Sequence, residues 1–442
     1  MLVSVAVRTA GSKMRAGPRL DALAITLLLS IGSVPGAAQT SAADLSPEEA
    51  VRLAVEQSPQ VSAARSRLEA AAAGLRVAQA PFNLQGELSP GAGFTNGNAV
   101  LSQPLDLGGR RSAQSRAAAG HQSAASAELS LVRLQVAADC RAAYYDLVRA
   151  RAVELAASEA ATLTGQIRDA VRRRVEIGEI PSVQLTRAEI ELGRAEQEAL
   201  RSRGEVRSRQ GTLNVLLGRP AEAALAPTGG LTAPDAPGVI ADLLLLAQRQ
   251  RPELAVVRGL IEARRGEVAV ARAERRPELF AELATDVWSL DRDRFNSRNI
   301  GFQARLSFPL FDRGRLQGGV DRAQAGVREQ EAELAAASRT LDIEIGRAAA
   351  ELSAAREVAL NYQTTLLPRT RELLRATRAG FETGLTSFLE VLDVQRLLRQ
   401  TQTEYLNALF EATRARIALD RALGTAPGLA PIPVSTPERS LK

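Results

Sequence analysis

The chain has 442 residues and a formal net charge of +6, and only 3% of its residues are aromatic. Few aromatic side chains and many alanines argue against compact cores and favour long helices packed through small side chains. Residues 1–38 hold four basic residues and one acidic residue, so without them the net charge falls from +6 to +3. The remaining arginines are interleaved with glutamate and aspartate, which is typical of solvated helix faces and argues against a nucleic-acid partner.

The N-terminal segment has the three parts of a secretory signal peptide. Basic residues come first, an apolar run follows from Ala22 to Ile31, and the small residues Gly36 and Ala38 close the segment. The sequence therefore predicts a signal peptide at residues 1–38. A membrane-anchoring helix is disfavoured, because the apolar run is shorter than the ~20 residues that a span needs. Translation from Met14 would give a more ordinary signal length, and the sequence leaves both starts open.

The first half of the mature chain, residues 39–220, combines a helix, a β-hairpin and a long helical hairpin. A capping box with proline at the first helical position, Ser46-Pro47-Glu48-Glu49, opens a helix that Pro59 interrupts. Clustered turn residues indicate the β-hairpin. A long proline-free stretch with three- and four-residue apolar spacing indicates the helical hairpin, which turns near Gly178. The predicted elements are a helix to about residue 80, a β-hairpin at 81–103, a helical hairpin at 105–217 and a linker at 221–240.

The second half repeats the first. Gly109-Arg110 matches Gly314-Arg315, Gly178 matches Gly384, and Leu217-Gly218 matches Leu423-Gly424. The offset is 193 in the first helix and 205 to 206 afterwards, which predicts an internal duplication. The second repeat, residues 241–424, is predicted to contain a helix, a β-hairpin at 278–308 and a helical hairpin at 315–423, followed by a disordered tail at 425–442.

The stretch Asn299 to Arg315 has the pattern of a membrane strand that feeds a helix. Ile300, Phe302, Ala304, Leu306 and Phe308 alternate with more polar residues over ten positions. This alternation predicts a transmembrane β-strand with one face toward lipid and one toward water. The earlier stretch 101–111 has the same design.

Two β-hairpins supply only four strands, which cannot close a barrel. Because open strand edges are not tolerated in hydrocarbon, other copies of the chain must complete the sheet. Three copies would supply twelve strands and twelve helical rods. The predicted fold is mostly α with a small β part: duplicated helical hairpins and two β-hairpins that trimerise into a 12-stranded outer-membrane β-barrel continuous with a 12-helix periplasmic α-barrel.

The motifs at the joints and tips resemble those of the TolC-type outer-membrane efflux channel family. The resemblance covers residues 39 to about 424, in the family's duplicated order. The joint QPLDLGGRR is similar to that of outer-membrane components of heavy-metal efflux systems of the cobalt-zinc-cadmium type. The motifs that carry the resemblance are the joints QPLDLGGRR and FPLFDRGR, the tips RRVEIGEIPSVQLTRAE and RAGFETGLTSFLEVLDVQ, and the closing LLG and ALG ends.

The resemblance implies a passive homotrimeric duct in the outer membrane of a Gram-negative bacterium, extending into the periplasm. It would dock with a periplasmic adaptor, or membrane fusion protein, and with an inner-membrane RND-type pump. No enzymatic activity and no cofactor are expected, because the sequence has one His, one Cys, no nucleophile motif and no phosphate loop. His121 is interpreted as a surface residue in preference to a metal-relay ligand, and Cys140 as a buried small residue.

The two helix tips carry the predicted contact and constriction residues. The resemblance assigns adaptor contact to Gly178, Glu179, Gly384 and Leu385, although a glycine there also serves as a plain helix C-cap. Just past the second tip, Glu390 and Asp393 share a helix face. In three copies they would form two acidic rings at the pore constriction, which would favour cations. Solvated carboxylates on a coiled-coil surface are the alternative.

The gate region departs from the pattern of the family. Phe381 and Thr386 stand where the family pattern has Tyr and Arg, and Gln184 stands where it has Asp. The polar latch of the family therefore does not transfer. The hypothesis that replaces it pairs basic with acidic residues near both tips: Arg173, Arg174 or Arg378 with Glu176, Glu179 or Glu382.

Other functions remain open at the level of the sequence. A multidrug or type I secretion channel of the same family would share these motifs. A periplasmic coiled-coil adaptor or scaffold would share the signal peptide and the helical hairpins but not the alternating strand. The exported substrate, the particular pump and adaptor, and the means by which the short first hairpin covers the membrane are not decided.

Overall fold

The computed structural model describes residues 44–89, 97–288, 300–308 and 311–428. The predicted signal peptide at residues 1–38 and most of the predicted tail lie outside these residues. In the described part of the chain, no helix combines the length and the apolar composition that crossing a bilayer requires.

The first half begins with two short helices whose starts follow from the sequence. The Ser46 hydroxyl accepts a hydrogen bond from the Glu49 N–H at 3.2 Å, and the Ser58 hydroxyl caps the next helix in the same way. Pro59 therefore starts a helix rather than bending one. The elements are β1 (Asp44–Leu45), α1 (Pro47–Gln57), α2 (Pro59–Gln79), β2 (Gln85–Ser89), β3 (Gly97–Leu105), α3 (Arg110–Glu176) and α4 (Val183–Leu216).

The second half has the same order of elements, with one difference. Its first long rod contains a π turn, whereas α3 is a continuous α-helix. The elements are β4 (Ala226–Pro227), α5 (Ile240–Gln250), α6 (Pro252–Ala273), β5 (Glu278–Trp288), β6 (Ile300–Ser307), α7 (Arg315–Asn361), the π turn (Tyr362–Leu366), α8 (Leu367–Glu382) and α9 (Phe388–Leu423).

The first joint between strand and helix lies further along the chain than predicted. The strand predicted to end at residue 103 continues to Leu105, and the helix predicted from residue 105 begins at Arg110. Pro104 is tolerated in β3 because β2 pairs with β3 only as far as Ser102, so no neighbour on that side needs its missing N–H. The helix start is fixed by the Asp106 carboxylate, which accepts hydrogen bonds from the first N–H groups of α3 at 2.8 and 3.0 Å.

The four long strands form one antiparallel sheet in the order β2, β3, β5, β6. Leu283 pairs with Leu101 on one side and with Phe302 on the other, so apolar side chains of neighbouring strands share a face. That face is exposed, and Phe302 retains 78% of its accessible surface. Within the described residues, β2 and β6 each pair on one side only. Both the apolar face and the two edges therefore need partners from outside the chain.

The two halves are joined through a close contact between α3 and α6. Gly259 and Gly266 of α6 lie against the backbone of α3, where a Cβ on Gly266 would stand 2.4 Å from the Ala117 nitrogen. Gly120 of α3 lies equally close to Ala263 of α6. These small residues recur at four- and three-residue spacing on both helices, which lets the helix axes approach closely. The contact fixes the position of the strand-bearing ends of both repeats.

Candidate functional site

The two helical hairpins end in tips of the same design. Gly178 follows α3 and Gly384 follows α8, each with φ of 77°, a conformation that residues with a Cβ rarely adopt. Their neighbours project into solvent: Ile177 is 76% exposed and Leu385 is 84% exposed. Glu179 is also exposed. The four residues predicted for adaptor contact thus all lie at the outermost turns of the two hairpins.

An apolar cluster packs the two tips of one chain against each other. It joins α3 and α4 of the first hairpin to α9 of the second. Phe381 packs against this cluster, and its ring centroid lies 6.2 Å from that of Phe388. The buried members are Ile167, Val171, Ala188, Phe388, Val391 and Leu392. The four tip helices therefore form one packed unit within a single chain.

Arg174 bridges the two tips. Its guanidinium lies 4.6 Å from the centroid of the Phe381 ring and donates a hydrogen bond to the Phe381 carbonyl at 3.2 Å. The same guanidinium pairs with Glu179 of its own tip. This hydrogen bond lowers the pKa of Glu179 below its ordinary value. In the described part of the chain, no ion pair forms at the other residues of the latch hypothesis: Arg173, Arg378, Glu176 and Glu382.

The remaining gate residues are placed separately. The Thr386 hydroxyl donates to the Thr377 carbonyl at 2.9 Å, and its N–H donates to the Gly380 carbonyl at 3.2 Å. Both hydrogen bonds of Thr386 therefore go to α8, within the second hairpin. Gln184 is half-buried at the start of α4, and its side-chain oxygen is buried without a hydrogen-bond partner within the structure described. The structure thus brings Phe381 to Arg174 but joins neither Gln184 nor Thr386 to that bridge.

The two predicted constriction carboxylates have different local bonds. The Glu390 carboxylate accepts a hydrogen bond from the Ser387 N–H at 3.1 Å, and the Ser387 hydroxyl caps the Glu390 N–H, so the pair forms a capping box. Asp393 is 71% exposed and pairs with Arg396 at 3.1 Å. Arg396 therefore offsets part of the charge of Asp393, whereas the charge of Glu390 is held at a helix start.

Sequence reasoning missed a second link between the hairpins. Arg396 of α9 donates to both oxygens of Glu191 on α4, at 2.5 and 3.2 Å. The preceding residue, Gln395, donates from its amide to the Thr164 hydroxyl of α3 at 3.1 Å, and both side chains are buried. The partners lie more than 200 residues apart, so no local pattern could have found them. Hydrogen bonds from Arg396 lower the pKa of Glu191.

Sequence reasoning also missed a polar cluster on the face of the sheet opposite the apolar one. Glu282 is 4% exposed and accepts hydrogen bonds from Arg305 at 2.6 Å, Gln303 at 3.0 Å and Ser102 at 3.3 Å. The Arg305 guanidinium also lies over the Phe280 ring. These residues join three neighbouring strands on the face opposite the apolar one. The alternation predicted from β6 is the signal that could have placed them there.

The lone His and Cys have ordinary surroundings. His121 lies 3.6 Å from Glu267 at the surface. Burial raises the pKa of Cys140 to about 12, which leaves its thiol protonated and unreactive. Among the residues that the structure describes, no group of three His, Cys, Asp or Glu side chains lies close enough to hold a metal ion.

A sheet with an exposed apolar face, two open edges and long helical hairpins beyond it defines a subunit of an oligomeric membrane channel. The fold agrees with a crystal structure of CusC, with a TM-score of 0.73 and 21% identity, covering 88% of this chain and 96% of that one. The chain belongs to the outer membrane efflux protein family, whose pattern matches residues 50–219 and 243–425.

Two relatives illustrate the range of the family. The cobalt-zinc-cadmium resistance protein CzcC of Cupriavidus metallidurans is 28% identical over 398 residues, 88% of this chain and 93% of that protein. The toluene efflux pump outer membrane protein TtgF of Pseudomonas putida is 26% identical over 333 residues, 73% of this chain and 68% of that protein. The protein is thus an outer-membrane efflux channel that extends into the periplasm, and its family is one of channels rather than enzymes.

Proposed function

We propose that three copies of this chain form a duct that carries heavy-metal cations from the periplasm, or from an inner-membrane pump, to the exterior. The observation that carries the duct is the four-stranded sheet, which exposes its apolar face and whose edge strands pair on one side only within the described residues. The likeness to the cobalt-zinc-cadmium resistance protein CzcC supports the cargo. Three such sheets joined edge to edge make twelve strands, a size within the range of outer-membrane barrels. The duct performs no chemistry, so its selectivity comes from its lining charges.

The helices support a second tube beneath the barrel. Each copy contributes four rods, namely α3, α4, α9 and the rod that runs from α7 through α8. Three copies therefore supply twelve rods, which suffice to wall a continuous channel. In this assembly the polar cluster around Glu282 faces the lumen of the barrel, while Phe302 and its neighbours face lipid.

The tips are the proposed docking surface for a periplasmic adaptor. Exposed apolar side chains next to backbone turns, such as Ile177 and Leu385, are what a partner helix tip can cover. An RND-type pump in the inner membrane would drive the cargo, since the duct itself has no energy source. The relative TtgF is described as part of an efflux pump, which supports this arrangement.

Glu390 and Asp393 are proposed to form the constriction. Both carboxylates are exposed just inside the second tip, so three copies would gather six of them around one axis. Fixed negative charge in a narrow pore concentrates cations and repels anions. Arg396 weakens the contribution of Asp393, which leaves Glu390 as the stronger of the two.

The closed state is proposed to be held by Arg174 and Arg396. Arg174 ties the first tip to the carbonyl of Phe381, and Arg396 ties α9 to Glu191 of α4. Both bonds join the two hairpins of one chain, so both must stretch if the second hairpin moves relative to the first. Gln184 and Thr386 make neither of these bridging bonds.

The cargo can be tested in a Gram-negative strain that retains a heavy-metal pump and adaptor but lacks its own duct. Expression of this chain is expected to raise tolerance to cobalt, zinc and cadmium severalfold and to lower their cellular content. The matched variants are Glu390→Gln with Asp393→Asn at the constriction and Glu411→Gln on an exposed part of the same helix. Only the first is expected to reduce metal export.

Two results would change this conclusion. Restored tolerance to organic solvents or drugs without any effect on metals would favour a multidrug channel of the same family; the relative TtgF belongs to a toluene efflux pump. No restored export of any cargo, with the protein present in the outer membrane, would contradict the proposal.

A further inference from the structure

The two long rods that lead to the tips differ by one residue. α3 contains 67 residues from Arg110 to Glu176. The rod from Arg315 to Glu382 contains 68, because α7, the π turn and α8 have 47, 5 and 16 residues. The ends of the two rods correspond, since each rod begins directly after one glycine and ends two residues before another. These glycines are Gly109 and Gly178 in the first repeat and Gly314 and Gly384 in the second.

The π turn Tyr362–Leu366 accommodates the extra residue. The Leu367 N–H donates to the Tyr362 carbonyl five residues earlier, and such a turn inserts one residue without turning the flanking helices. Pro368 follows directly. Its ring would clash with a carbonyl in a continuous α-helix and its missing N–H would break the ladder, so the wider turn relieves both problems. The sequence of α3 contains no proline.

The π turn itself contributes no buried side chain. Between the buried residues Ala359 and Leu367, none of the side chains is buried. The Tyr362 hydroxyl donates to the Glu404 carboxylate of α9 at 3.2 Å and so ties the turn to the neighbouring helix. At the corresponding level of the first rod, Ala157 is buried and the α-helical ladder is continuous.

We propose that the π turn Tyr362–Leu366 is the hinge about which the tip end of the second hairpin moves when the channel opens, while the first hairpin moves as a rigid rod. The hinge rests on the proposed function as a gated duct. The 16 residues of α8 place it ~24 Å from the tip, so a bend of about 10° would move that tip by about 4 Å. The hydrogen bond from Tyr362 to Glu404 acts as the catch that holds the hinge straight.

The first test removes the hinge. Deletion of Thr364 combined with Pro368→Ala gives the second rod the length and the uninterrupted N–H groups of the first. We expect heat-stable trimers with at least tenfold fewer spontaneous openings in planar-bilayer recordings. The matched control deletes Glu159 from α3. Because that helix has no π turn to absorb the change, its tip would rotate by about 100°, and we expect the trimer to lose heat stability.

The second test loosens the hinge without changing its length. Tyr362→Phe removes only the hydroxyl group, and loss of one hydrogen bond of ordinary strength predicts about fivefold more frequent openings. If wild-type pores conduct and neither variant changes the opening frequency, the hinge is wrong while the duct stands. If the wild-type trimer forms no pore, the proposed function fails and the hinge fails with it.

Discussion

Arg396 connects the two hairpins through a carboxylate that solvent barely reaches. Glu191 is 11% exposed and has two of its hydrogen bonds from Arg396. Arg396→Met keeps much of the aliphatic stem but leaves this carboxylate without its main cation. Since Arg396 is itself 46% exposed, we discount the loss to about 1 kcal/mol. Closed-channel leak in planar bilayers is expected to rise about fivefold.

The control for Arg396→Met is Arg414→Met on the same helix. Arg414 pairs with Glu411, and both side chains are more than half exposed. Its replacement is expected to leave the leak unchanged, because exposed pairs of this kind contribute little. Equal leak in the two variants would show that Arg396 does not hold the tips together.

The same pair predicts an acid response. Hydrogen bonds from Arg396 lower the pKa of Glu191 from its ordinary value of 4.5 when the two hairpins are in contact. The stabilisation is therefore fully present above that value and is lost as the pH falls through the lowered pKa. Wild-type leak is expected to be constant from about pH 7 to 5 and to rise at lower pH. The Arg396→Met variant should lose this rise; an identical acid response in both proteins would exclude Glu191 as its source.

Single residues also show where sequence reasoning succeeds. The latch hypothesis named Arg173, Arg174 or Arg378 with Glu176, Glu179 or Glu382, because opposite charges lie close to both tips. The structure pairs Arg174 with Glu179 within one tip, and the role of these residues as a latch stays a prediction. The capping box of Ser387 and Glu390 is local and can be read from the sequence, although the sequence analysis considered only the charge of Glu390. The pairing of Glu191 with Arg396 depends on how two distant hairpins pack, and neither sequence neighbourhood contains that information.

At the scale of elements, the contact of α3 with α6 should be the most sensitive to added volume. Gly266→Ala would place a Cβ 2.4 Å from the backbone nitrogen of Ala117, and backbone cannot move aside as a side chain can. We expect a loss of about 2 kcal/mol or more and a lower melting temperature of the purified trimer.

Gly193→Ala is the matched substitution for that test. Gly193 lies in α4 with no atom near the position of a new Cβ. Alanine there is expected to stabilise the helix by about 0.5–1 kcal/mol. A melting temperature that rises in both variants would mean that α3 and α6 do not approach as closely as described.

The elements themselves follow largely from sequence periodicity. Helix starts at Pro47 and Arg315 and the alternation along β6 were all readable. The joint at Pro104 was not, because the tolerance for proline depends on how far β2 extends alongside β3. The extra residue at the π turn Tyr362–Leu366 is visible in the sequence, because the offset between the two repeats changes from 205 to 206. Only the comparison of the two rods in the structure shows where that residue lies.

Contacts between copies of the chain are needed to join the strands into a closed barrel. The edges of β2 and β6 and the exposed face around Phe302 set the need for partners, but the chain alone does not fix their number. The count of three comes from the family resemblance, and the twelve strands that it gives lie within the range of outer-membrane barrels. The sequence of one chain therefore predicts that the strand edges pair with other copies, but it does not predict how many copies assemble.

The most direct test of the duct is single-channel recording of the purified trimer in a planar bilayer, with reversal potentials measured in a salt gradient. The wild type is expected to form cation-selective pores. Glu390→Gln with Asp393→Asn should lower this selectivity, since Gln can still close the capping box while removing the charge. Glu411→Gln should match the wild type. Heat-stable trimers that conduct no ions under any of these conditions would contradict the account.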